Sequence, residues 1–475
     1  MLTGLHHRTE LMLAALQLVD RELLLFAAFW FIVSALDEMA IDLSWLFLRL
    51  TGRATAGRIG STDAERPLLA RAAVLVPAWH EAVVLEAMVA HTLAAWQQRD
   101  FALYVGCYRN DPATMAAAIA GSGGDPRVRV VLHDCLGPTT KADCLNRLYR
   151  ALCADELRQG QDFASVVLHD AEDMVHPAAL TVIDRALTAA EFVQLPVRPE
   201  TQPKGRWIAG HYSDEFTEAH GKALVVRDAF GAALPAAGVG CGFSRTALAD
   251  IARLRGEEGK SGPFAADCLT EDYELGLLIA RSGGRSKFLR LRDAEGQLVA
   301  TRSYFPARFD QAVRQKTRWI HGIALQGWDR LGWQWRPIEL WMMLRDRRGP
   351  LTALVLAAAY LILVVEAALT LAQQAGWIPP LAKPPVLTTM IWLCFASLVW
   401  RAAVRFAFTT REYGVAEGIR AVLRIPVANL IAIIAGRRAL WAYLRSLNGS
   451  AAVWDKTAHD AHPAALRQLV VALPC

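Results

Sequence analysis

The chain has 475 residues and a mass of 52.2 kDa; 54% of it is hydrophobic, 20% is charged, and the mean hydropathy is +0.23. Soluble domains carry about 45–50% apolar and about 25% charged residues, so a disordered chain is excluded and a wholly soluble one is disfavoured. The net charge of +5 comes without a dense Lys/Arg stripe interleaved with aromatics, which argues against nucleic acid as a partner.

The apolar excess lies in residues 23–48 and 350–445, around a middle section of ordinary composition. The first run, LLLFAAFWFIVSALDEMAIDLSWLFL, exceeds the ~20 residues a spanning helix needs. It has no charged leader or small-residue cleavage site and reads as an anchor. It contains Asp37, Glu38 and Asp42, and Ser34, Glu38 and Asp42 share one helical stripe. A charge inside a bilayer costs about 2.5–3.5 kcal/mol, so these acids must meet a protein partner or a polar channel. Arg401 and Arg405 are the candidate partners.

From Ala72 the pattern alternates: apolar runs at 72–76, 103–107, 128–132 and 165–168 are separated by helical stretches. That alternation predicts a largely parallel sheet covered on both faces, with ligands at the carboxyl ends of its strands. Pro77–Glu81, Tyr108–Asp111 and His169–Asp173 fall on that rim. Neither a P-loop nor a G-x-G-x-x-G fingerprint occurs. A diphosphate would therefore be neutralised by a divalent metal on carboxylates, which the LHDAEDMVHP segment supplies with Asp170, Glu172 and Asp173. Further on, LTEDYELGLLIARSGG predicts a helix that Thr270 caps and Gly283 stops, with Glu271 and Asp272 at its start. In FDQAVRQKTRWIHGIA, the residues Gln315, Arg318 and Trp319 share a helical face and offer an amide, a fixed cation and an aromatic plane.

Residues 350–372 and 385–405 read as two more spanning helices. The run 425–436, bounded by Arg424 and by Arg437 and Arg438, is too short to span and reads as an interfacial helix. Arg49, Arg53 and Arg58, then Arg345, Arg347 and Arg348, then Arg401 and Arg405 flank the three spans on the side of the middle section, which places that section in the cytoplasm. The cysteines form no C-x-x-C pair.

The order VPAWHE, GPTTKADCLN, HDAED, TED and Q-K-T-R-W resembles the processive family 2 glycosyltransferases, among them cellulose, chitin and hyaluronan synthases. LDEMAID, GVGCGFSR and the tail WDKTAH are similar to the phage-adsorption type of inner-membrane glycosyltransferase. Members of that group often carry a further C-terminal domain that binds cyclic-di-GMP, for which 475 residues leave no room.

The resemblance implies an α/β fold, a GT-A (Rossmann-like) nucleotide-sugar domain inserted between transmembrane helices. The expected organisation is an anchor over 1–60, the catalytic domain over 71–335, two transmembrane helices over 336–409, and a cytoplasmic interfacial helix and tail over 410–475. It implies an inverting hexosyltransferase of the bacterial inner membrane, multi-pass, with the catalytic domain cytoplasmic. The enzyme would use a UDP-sugar donor, a glycan or lipid-linked acceptor, Mg2+ or Mn2+ and the lipid bilayer, and an outer-envelope export partner fits a surface glycan. Pro77, Glu81, Asp111, Lys141 and Asp170 would bind the nucleotide sugar. Asp170 with Glu172 or Asp173 would hold the metal. Asp272 would be the general base, and Glu271, Gln315, Arg318 and Trp319 would meet the diphosphate and acceptor. Where the family has an acidic pair after its second strand, this chain has Asn110–Asp111. The competing readings are a single-addition transferase onto a polyprenyl phosphate and a non-catalytic membrane scaffold or receptor. Q-x-x-R-W speaks against the first, the intact acids against the second.

Overall fold

A computed structural model describes residues 2–54, 56–202, 205–378, 383–447, 461–462 and 464, with side chains from residue 17 onward. Of the expected tail, Trp454, Lys456 and Cys475 lie outside the described residues.

The chain opens with one helix, α1 (Leu2–Leu50), then a two-residue strand, β1 (Gly57–Arg58). The alternating section follows as β2 (Ala72–Pro77), α2 (Leu85–Ala95), β3 (Phe101–Cys107), α3 (Pro112–Ser122), β4 (Val128–Leu132), α4 (Lys141–Gln159), β5 (Ser165–Leu168), α5 (Ala179–Ala186) and β6 (Phe192–Gln194). After β7 (Val197–Pro199), α6 (Gly210–Glu218) runs through a π-helical segment, Ala219–Ala223, into α7 (Leu224–Ala229). Then come β8 (Cys241–Ser244), α8 (Arg245–Glu257), α9 (Glu271–Arg281), β9 (Ser286–Phe288), β10 (Leu291–Arg292) and β11 (Thr301–Ser303). A second π-helical segment, Ile320–Gln326, joins α10 (Phe309–Trp319) to α11 (Gly327–Leu331). The C-terminal helices are α12 (Pro337–Arg347), α13 (Gly349–Gln374), α14 (Pro385–Tyr413), α15 (Val415–Leu423) and α16 (Ile425–Ser446).

The main sheet has the order β4-β3-β2-β5-β8-β6-β9. All neighbours run parallel except β8, which is antiparallel to both β5 and β6. Two small parallel pairs, β7 with β11 and β1 with β10, flank it. Along β2, Val74 and Val76 pack under α2, α3 and α5 with Met88, Val89 and Ile183, while Ala73 and Leu75 face α4, α8 and α9 with Leu148, Ile251 and Leu275. These four strand residues are fully buried, as a parallel sheet covered on both faces requires.

Four helices among the described residues are long and apolar enough to cross a membrane: Gln17–Leu50, Gly349–Gln374, Pro385–Tyr413 and Ile425–Ser446. The fourth is longer than the 12-residue run 425–436 read from the sequence. The apolar run stops at Gly436, but the helix continues through Arg437 and Arg438 for 22 residues. Arginine is a good helix former, so the charges interrupt the hydropathy without interrupting the hydrogen-bonded turns. This helix runs antiparallel to α13: Asn429 Nδ2 donates to Tyr360 Oη at 3.3 Å, and Gly436 lies against Ala353.

The acids of α1 have protein partners. Asp37 and Glu38 both pair with Arg345 and Arg348, and Glu38 also takes Arg401 at 3.0 Å. Lys222, 2% exposed and carried on the first π segment, binds Asp42 and approaches Glu218 at 3.5 Å. Glu218 in turn accepts from Arg401 at 2.8 Å and Arg405 at 3.0 Å, and Trp400 Nε1 donates to Asp42 at 2.8 Å. The stripe is thus tied to α12, α14 and the α6–α7 turn.

Candidate active site

Strand ends and helix starts converge on one cavity of about 460 Å³, within the size range of small-ligand sites. β2 ends at Pro77 and leads to Trp79 and Glu81 on the wall. At the start of α4 the Thr140 hydroxyl accepts from Asp143 N at 3.1 Å. That cap fixes the first turn, and Lys141 at its head reaches Asp170 at 2.5 Å. Asp170 and Glu172 follow β5 on a tight turn that Asp173 closes, its N donating to Asp170 O at 3.2 Å. Asp173 is 1% exposed, and its Oδ2 accepts from both His169 Nδ1 and Asp170 N at 2.9 Å.

α9 brings Glu271 and Asp272 to the same wall, where acids complement a helix N-terminus. Thr270 stands at the cap position, but its side chain makes no capping bond. α10 presents Gln315, Arg318 and Trp319, with Phe216 and Phe305 beside them. The Gln315 Oε1 is buried with no hydrogen-bond partner among the described residues.

Of the expected site residues, Asp111 alone is missing from the cavity wall. It caps α3 instead, accepting from Thr114 N at 3.3 Å and from His80 N at 2.6 Å. Asn110 braces the neighbouring loop through Gly137, with 2.8 Å bonds in both directions. The Asp-Pro start of α3 is itself an N-cap signal, so this structural role was visible in the sequence.

The electrostatics are lopsided. The wall carries Glu81, Asp170, Glu172, Asp173, Asp267, Glu271 and Asp272 against the cations Lys141 and Arg318. Burial alone would lower the Lys141 ammonium, but Asp170, Glu271 and Asp272 outweigh it and hold it above its ordinary range. Burial, reinforced by Asp272, pushes Glu271 up to about 7 against the pull of Lys141. Burial also raises Asp272, opposed by Lys141 and by the bond from Tyr273 N. Among the described residues no trio of His, Cys, Asp or Glu is arranged to hold a metal. The fit is of another kind: two carboxylates on one turn leave the remaining positions to water and phosphate oxygens, the usual mode for Mg2+.

Several wall residues had no role in the sequence reading: Trp79, Thr140, Phe216, Phe305 and Cys268. Gly238, within the quoted GVGCGFSR, is another. Its φ is +75°, and a Cβ there would lie 2.3 Å from Asp272 Oδ2 and 3.3 Å from Lys141 Nζ. Only glycine lets the backbone come this close to the acid–lysine pair.

Residues 70–322 match the family model described as "Glycosyltransferase like family 2". The chain is 32% identical over 454 residues to the Bacteriophage adsorption protein B of Escherichia coli K12, and equally so to the Bacteriophage N4 adsorption protein B of Escherichia coli O157:H7. The alignment takes in 90% of this chain but 60% of those relatives. Among solved structures, a mannosyltransferase of Pyrobaculum calidifontis in complex with GDP-Man and Mn2+ shares 18% identity over 86% of this chain and 99% of its own, with a TM-score of 0.49. Glucosyl-3-phosphoglycerate synthase of Mycobacterium tuberculosis with Mg2+ and UDP shares 18% over 51% and 74%, with a TM-score of 0.30. By the family match, which takes in more than half of its residues, the chain belongs to the family 2 glycosyltransferases and carries their α/β, GT-A fold.

Proposed function

We propose that this chain transfers a hexose from a UDP-sugar, with inversion, onto a growing surface glycan at the cytoplasmic face of a bacterial inner membrane. The observation that carries the reading is the meeting of Lys141, Asp170, Glu271, Asp272 and Arg318 on one cavity beside the aromatic Trp319. Asp272 accepts the proton of an acceptor hydroxyl as its oxygen bonds to the anomeric carbon. The bond to the diphosphate oxygen breaks in the same displacement, and UDP leaves with the electron pair. A single displacement inverts the centre. Lys141 and Arg318 stabilise the charge that gathers on UDP, and Trp319 offers its face to a sugar ring. Mg2+ or Mn2+ would be held by Asp170 and Glu172 and, when bound, supplies positive charge against the diphosphate. Asp173 is the weaker candidate because its Oδ2 already takes two hydrogen bonds inside the turn.

The membrane setting rests on the four apolar helices, and the envelope role on the phage-adsorption relatives. The Gln315, Arg318 and Trp319 face favours a polymeric acceptor over a single addition to a polyprenyl phosphate. The test is UDP release by the purified full chain against a panel of UDP-sugars with and without Mn2+, repeated with Asp272→Asn. The expected result is metal-dependent release for one donor, reduced about 10²–10⁴-fold in the variant. No release with any donor would overturn the catalytic reading, and an Asp272→Asn rate equal to the parent's would overturn the base.

A further inference from the structure

The turn that carries Asp170 and Glu172 is held from behind by ring nitrogens on distant parts of the chain. Asp173 O accepts from His462 Nε2 at 3.0 Å, across 289 residues of sequence. Val175 O takes His91 Nε2 at 3.0 Å, and His176 O takes Trp96 Nε1 at 3.0 Å. Between these donors Met174 is paired with Arg302 in both directions, at 2.6 and 3.0 Å. Three of these supports come from the catalytic domain itself. The fourth, His462, comes from beyond α16 in the sequence.

His462 is 1% exposed, and both of its ring nitrogens are engaged. Ala464 N donates to Nδ1 at 3.1 Å, so Nδ1 is the acceptor and Nε2 must carry the proton that Asp173 O receives. One neutral tautomer satisfies both bonds, and no apolar side chain can replace it without leaving a buried carbonyl and a buried N–H unmet. The carbonyl concerned belongs to the residue whose own carboxylate folds the turn, through Asp170 N and His169. His462 therefore bears on the orientation of Asp170 and Glu172 without touching the cavity.

We infer that His462 is a positioning residue for the cation- and nucleotide-binding turn, so that this one distant side chain bears on the affinity of the catalytic cavity. The inference rests on the reading of Asp170 and Glu172 as the pair that binds the donor's cation. Groups that orient metal ligands from behind typically govern about 10–100-fold in metal affinity.

The experiment titrates Mn2+ calorimetrically into the purified full chain in the presence of UDP, with His462→Ala, His462→Gln and Asp170→Ala alongside the parent. Melting temperature is followed in each. His462→Ala is expected to weaken Mn2+ binding about 10–100-fold. His462→Gln, whose amide can both donate and accept, should restore most of that affinity. Unchanged affinity in His462→Ala would overturn the inference. So would a His462→Gln variant that falls as far as His462→Ala with the same drop in melting temperature, since that pattern means support of the fold alone. If Asp170→Ala binds Mn2+ and UDP like the parent, the failure lies in the cavity reading, and the inference falls with it.

Discussion

Two clusters of buried carboxylates in this protein are compensated in opposite ways. At the junction with the long apolar helices, Asp37, Glu38, Asp42 and Glu218 meet Lys222, Arg345, Arg348, Arg401 and Arg405, and every acid has at least one cation in contact. In the cavity, Asp170, Glu271 and Asp272 share the single ammonium of Lys141, with Arg318 beyond. The first cluster is closed by its own side chains. The second keeps more carboxylates than cations on its wall, and burial, with repulsion among the acids, pushes Glu271 and Asp272 up. Buried charge is costly unless paired, so the deficit marks the place where a cation from outside is useful, and the saturated cluster marks a joint.

The comparison predicts that the two clusters fail differently. Asp170→Ala should abolish Mn2+-dependent UDP binding while leaving the melting temperature close to the parent's. Calorimetry with a thermal scan reads both, and intact binding would remove the distinction. Lys222→Met should do the reverse. It strands Asp42 beside Glu38 and Glu218, and removing one partner of a buried pair costs about 3–5 kcal/mol, which thermal unfolding in detergent would register as loss of folded protein. Glu38→Gln and Arg401→Gln should each destabilise, and the double variant should fall short of their sum by about 0.5–3 kcal/mol. Strict additivity would mean that the two side chains do not act together. The smallest effect concerns pH. Lys141 pulls both Glu271 and Asp272 down; as the proposed base, Asp272 would work only when ionised, so activity should be lost as pH falls through its folded value. Lys141→Met removes that restraint and should move the acid limb of the transfer rate to higher pH. A limb that stays in place or moves down would show that Lys141 does not govern the base.

Much of this was legible in the sequence, because it depends on local pattern. The apolar runs of β2, β3, β4 and β5 and the helices between them follow from alternation alone, and strand ends in such a sheet converge on one rim. That is why Pro77, Lys141, Asp170 and Asp272 end up together despite their separation. What escaped depends on long-range contacts. Lys222 sits in a stretch with no local mark of burial, and its need for Asp42 appears only when α1 packs beside it. His462 is one of two histidines in the tail, and nothing in its neighbours points to a carbonyl 289 residues away. Two further differences have another cause: Asp111 caps α3 and stands off the cavity wall, and the last helix runs through Arg437 and Arg438 past the change in polarity.

The π-helical segments have a consequence of another kind. An α-helix advances by roughly 100° per residue, and a π turn accommodates one residue more than the regular spiral. Ala219–Ala223 and Ile320–Gln326 therefore work as phase shifters, each letting one rod point its two ends at different neighbours. Before the first, α6 turns Tyr212 toward Val313 and Ile431; within it, Lys222 swings to α1. Before the second, α10 aims Arg318 and Trp319 at the cavity, and within it Gly322 passes so close to Thr270 that a Cβ would meet the threonine side chain at 2.5 Å. The aim of these helices is thus encoded in residue count as much as in residue type. Deleting a single position inside either segment would rotate everything downstream by roughly a quarter turn, a change that no choice of side chain could undo.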